Sequence, residues 1–111
     1  MAINTQIPQG EWKDFFVTFS NGNRGRELSL EVLDPDAGDS GQAQQGKLMS
    51  VAYDPVGKGN DIVVTTGEDE IEYSHTINAP VEVWKAQQDD GQVAALEIID
   101  QNQTKTILSL A

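Results

Sequence analysis

The stretch Glu70–Trp84, EIEYSHTINAPVEVW, decides how this chain folds. Its first half alternates. Ile71, Tyr73, His75 and Ile77 take one parity; Glu70, Glu72, Ser74 and Thr76 take the other. Side chains along a strand point to opposite faces in turn, so this pattern predicts a half-buried strand. Asn78-Ala79-Pro80 then makes a tight corner, because proline has no N–H to give to a ladder. VEVWKAQ resumes as the next strand.

The same grammar extends in both directions. Upstream, RELSLEVLD puts Leu28, Leu30 and Val32 on one face and Glu27, Ser29 and Glu31 on the other. KLMSVAYD is a strand whose inward face is ambiguous, PVGKGN is a turn, DIVVTT is a short β-branched strand, and GEDE is an acidic turn. The polar, glycine-rich run from Asp34 to Gly46 reads as the longest loop. Downstream, Asp89-Asp90-Gly91 is a hairpin signal, and VAALEIID and TKTILSL form a last hairpin around Gln101-Asn102-Gln103.

Only one segment has helical spacing. Trp12, Phe15, Phe16 and Phe19 recur at i, i+3, i+4 and i+7. The helix is expected over about residues 8–20, with Pro8 in the first turn and Asn21-Gly22 and Gly25 as stop signals. About seven strands then run from residue 26 to 110 with no second helix to serve parallel crossovers. The expected fold is mainly β (α+β): an antiparallel meander curled into a roll or partly open barrel, with the N-terminal amphipathic helix packed on it. The 111 residues suit a single domain, 1–111.

Composition narrows the function classes. Eighteen acids against seven bases give a net charge of −11. That opposes binding to nucleic acid, which requires a basic surface, and docking on anionic lipid. Cysteine is absent, so thiolate metal sites, disulfides and thiol nucleophiles are out. No basic-plus-apolar leader opens the chain, and its apolar runs are too short to span a membrane; the expected location is cytoplasmic.

Candidate chemistry is sparse. His75 is the only histidine. Its parity with Ile71, Tyr73 and Ile77 makes it a core residue hydrogen-bonded to backbone or to a tyrosine, or else a pocket residue that would line a ligand site with Tyr73. Ser74 faces the other way, so the adjacent pair is no nucleophile and base. Asp34, Asp36 and Asp39 surround Gly38 and suggest a loose cation site, yet the calcium-loop pattern fails, and a turn explains them as well. GKGN at 57–60 lacks the spacing of a phosphate loop. No cofactor is expected. Trp84 shares parity with Glu82, opposite Val81 and Val83. Either the helix or a loop covers it, or it is exposed as an interface anchor.

The order IPQGEWKDFFVTFSNGNRG, LSLEVLDPDAG, HTINAPVEVW, ALEIID resembles a family of small bacterial proteins classed as a domain of unknown function. The matching positions include Glu11, Trp12, Phe15, Phe16, Phe19, Glu31, Pro35, His75, Thr76, Ile77 and Pro80, with Asp34 where the family's turn has glycine. The resemblance implies no catalytic or binding residue. The expectation that follows is a non-enzymatic small acidic domain that works by protein–protein contact or self-association. The alternative is a β roll or barrel with a small-ligand pocket, possibly enzymatic, near His75.

Overall fold

The computed structural model describes residues 3–34, 38–39, 44–54 and 57–110. Among them, nine strands accompany one α-helix: β1 (Ile3–Ile7), β2 (Glu27–Asp34), β3 (Gly38–Asp39), β4 (Gln44–Asp54), β5 (Asp61–Gly67), β6 (Ile71–Asn78), β7 (Pro80–Gln87), β8 (Val93–Asp100) and β9 (Lys105–Leu110). Helix α1 (Trp12–Asn23) follows a single 3-10 turn at Gln9–Glu11. Every strand pairing is antiparallel. The architecture is mainly β with one N-terminal helix, and the sheet does not close.

Its order is β1-β7-β8-β9-β2-β4-β5-β6, with β3 beside β2. The chain is therefore not one meander but two, β2-β4-β5-β6 and β7-β8-β9, joined where β9 pairs with β2. Strands β6 and β7 are consecutive yet do not pair. β6 lies at one margin, and β7 is second from the other. Only Ala79 separates them. A trans peptide advances the chain by about 3.8 Å, so the two margins must meet at this corner and the sheet must curl. Ala79 takes a left-handed conformation (φ 50°). Its N–H donates to Asn60 O, and its carbonyl accepts from Gln101 N, which ties the corner to two neighbouring turns.

Two strands exceed the sequence expectation. β1 is short and polar, and it exists because β7 offers it a partner. β3 adds two residues beside the end of β2. β4 also begins earlier than expected, at Gln44, since Gln44–Lys47 extend β2's ladder. The face of KLMSVAYD is now explained. A register shift between Leu48 and Ser50 breaks the alternation, so Leu48 and Val51 both point into the core.

The helix is displaced from residues 8–20. Pro8 is extended (φ −60°, ψ 145°) and precedes the first turn. Asn21-Gly22 does not stop it. Asn23 Nδ2 donates to Phe19 O and Asn23 Oδ1 accepts from Arg26, which completes a further turn. The chain leaves the helix at Arg24 (ψ 132°), and Gly25 turns it at φ 90°. Trp12, Phe16 and Phe19 are buried against Leu28, Leu30, Leu48, Ile62, Val83, Leu96 and Leu108, while Phe15 lies at the margin of this core.

The helix also substitutes for a missing strand. β2 pairs only with the first residues of β4, which leaves β4 beyond Lys47 without a neighbour on that side. Gly25 N donates to Leu48 O, and Leu48 N donates to Arg26 O. Ser20 Oγ, buried, donates to Val51 O (3.1 Å) and accepts from Val51 N (2.8 Å). One hydroxyl thus satisfies both backbone groups of a strand residue.

Candidate functional site

The pairing register sorts the sheet's residues by face. Val83, Ile98, Thr106 and Val32 stand side by side on the helix-covered face. On the opposite, outer face the adjacent row is Gln6, Trp84, Glu97, Ile107 and Glu31. Beside it run Asn4, Ala86, Ala95, Ser109 and Ser29, and on the other side Glu82 and Ile99. Trp84 is thus not under the helix. It is half-buried on the uncovered face. Val81 does not share the face of Val83, because the register slips between Pro80 and Glu82, and Val81 is exposed.

The small side chains of Ala86 and Ala95 beside Trp84, Ile99 and Ile107 leave a groove of about 370 Å³. Trp84 Nε1 donates to Glu82 Oε1 at 3.1 Å, which fixes the indole plane. Glu97 meets Lys105 at 3.5 Å, a solvent-exposed pair. The groove is therefore an apolar strip with carboxylates at its rim.

Tyr73 and His75 face the core side of β6, opposite buried Thr66 and Val64. Because β6 is a margin strand, both are only half-buried. Burial lowers the His75 pKa below the ordinary imidazole value, and no charge or hydrogen bond contributes. Ser74 is exposed on the other face. Of the aspartates, Asp34 ends β2 and Gly38–Asp39 pair with it, while Asp36 lies outside the described residues. Among the described residues no three histidine or carboxylate side chains gather closely enough to hold a metal ion.

One further grouping joins β7 to the helix. Lys85 follows Val83 on the helix side of β7, pairing with Leu96 and Thr5. Its ammonium sits 5.6 Å from the centre of the Phe15 ring. The signal was there: in VEVWKAQ a lysine occupies the parity of a core valine.

Comparison with known proteins bears on this arrangement. The sequence matches a family of unknown function over residues 3–111. The chain belongs to DUF5335. A similar protein is an uncharacterized protein of Aquifex aeolicus (strain VF5), 28% identical over 104 residues, which covers 94% of this chain and 88% of that protein. No solved structure matches. The bacterial family of unknown function expected from the aromatic helix and the HTINAP segment is the one found. Among the described residues no helix is long and apolar enough to cross a membrane.

Proposed function

We propose that this DUF5335 protein is a non-enzymatic contact domain that grips a partner protein through the outer face of its sheet. One observation carries the reading: a half-buried tryptophan, held by Glu82, sits in an apolar groove on the face that the helix leaves open. Tryptophan supplies large contact area at low entropic cost, which is why it anchors interfaces. The rim favours one kind of partner. Glu31, Glu82 and Glu97 share this face with Lys105 in a chain of net charge −11. A second copy would bring like charges together, whereas a segment alternating apolar and cationic residues fits both floor and rim. The acidic balance is consistent with a soluble, cytoplasmic role.

The test is an NMR titration of the intact protein with a short leucine–lysine peptide and with its leucine–glutamate counterpart. The lysine peptide is expected to shift the Trp84 indole and the Ile99 and Ile107 methyls, and Trp84→Ala to abolish this. Shifts confined to the acidic turn at 68–70 would refute the reading. Concentration-dependent shifts of the same groups without peptide would replace the cationic partner with a second copy.

A further inference from the structure

A second groove, of about 410 Å³, lies on the other face of the sheet, between α1 and the hairpin joining β7 to β8. Phe15 and Phe19 stack at 5.9 Å and line it together with Val93, and Lys85 stands beside the Phe15 ring. Lys85 puts a cation at a core-side position of β7. Lys47 and Lys105 each meet a carboxylate, at 2.7 and 3.5 Å, but among the described residues none meets Lys85, in a chain with eighteen acids. Gly22, exposed in the last turn of α1, also lines the groove, and a Cβ there would meet nothing within 4 Å. Glycine is a poorer helix former than alanine, and here no neighbour requires it. It adds no side chain to the mouth of the groove.

We infer that this groove binds a small organic anion, a carboxylate carried on a flat apolar body. The carboxylate takes the ammonium of Lys85, which meets the Phe15 ring but no carboxylate among the described residues, and the body lies against Phe15, Phe19 and Val93. A cation beside apolar walls attracts an anion more strongly than one in bulk water, because less solvent screens the pair. The cation and the aromatic rings also recognise different ends of such a molecule, which gives orientation as well as affinity. The two grooves lie on opposite faces of the sheet and share only Lys85, whose ammonium stands on the Phe15 side.

The probes are naphthoate and its neutral isostere naphthamide, titrated into the isotope-labelled full chain and followed by amide shifts. Naphthoate is expected to give saturable shifts at Phe15, Gly22, Lys85 and Val93 and to bind about tenfold more tightly than naphthamide. Lys85→Gln is expected to erase that preference. Gly22→Leu is expected to fill the groove and remove binding, with the sheet resonances unchanged. Equal binding of both probes, shifts mapping to the Trp84 face, undiminished binding to Gly22→Leu, or no saturable shift at the solubility limit would each overturn the assignment.

Discussion

His75 shows how much a single position can and cannot announce. Its parity with Ile71, Tyr73 and Ile77 placed it on the core side of its strand, and it is there. The depth was not legible, because depth depends on β6 lying at the sheet margin, a fact of strand order. Burial lowers its pKa, so the unfolded chain takes up a proton at a higher pH than the folded one does. The histidine's contribution to stability is therefore intact above the ordinary imidazole pKa, declines as pH falls below it, and levels off below the folded pKa. An NMR titration is expected to place its midpoint below the free imidazole value. Comparison of His75→Gln with wild type is expected to show a smaller acid-side loss in the variant. The two tryptophans separate in the same way. Trp12 is fully buried, donates from Nε1 to Ile7 O at 2.8 Å, and meets the edge of Tyr53. Chemical denaturation of Trp12→Ala is expected to show a loss of about 3–5 kcal/mol. Trp84→Ala is expected to cost about 1 kcal/mol or less, since the outer face already meets water.

At the scale of elements, alternation identified β2 and β6 because each has one wetter face, while the last hairpin was marked by its turn at Gln101-Asn102-Gln103. Alternation failed on β4, where a bulge breaks the parity, and on β1, whose residues form a strand only through pairing with β7. The helix was legible from its aromatics, but its end was not. That end is set by side chains of Asn23 and Arg26 rather than by Asn21-Gly22. The junction of α1 and β4 rests on Ser20, which serves both backbone groups of Val51. Ser20→Ala would strand a buried N–H and C=O, and urea unfolding is expected to show a loss of about 2–3 kcal/mol. The turn between β5 and β6 is equally exacting. Gly67 has φ 148°, and a Cβ there would collide with the Glu70 carbonyl and lie 3.0 Å from Glu72 N. Gly67→Ala is expected to destabilise by about 2 kcal/mol or more, measured by thermal unfolding. The nearby Lys47–Glu68 pair at 2.7 Å is solvent-exposed and adds little.

For the molecule as a whole, a net charge of −11 sets a background of self-repulsion. Moderate sodium chloride screens it, so the thermal midpoint is expected to rise between low salt and about 0.15 M, where the Debye length is near 8 Å. The junction of the two meanders has a different consequence, in time rather than in energy. Within each meander, strands meet neighbours that follow closely along the chain. The seam does not work that way, since Leu28 faces Leu110 and Leu30 faces Leu108. Closing so long a loop comes before any reward from its contacts, which slows folding in proportion to how non-local they are. The seam, together with the equally non-local pairing of β1 with β7, is expected to pace folding. In stopped-flow refolding, Leu108→Ala should slow the forward rate, while Ile77→Ala, at the far margin, should mainly hasten unfolding.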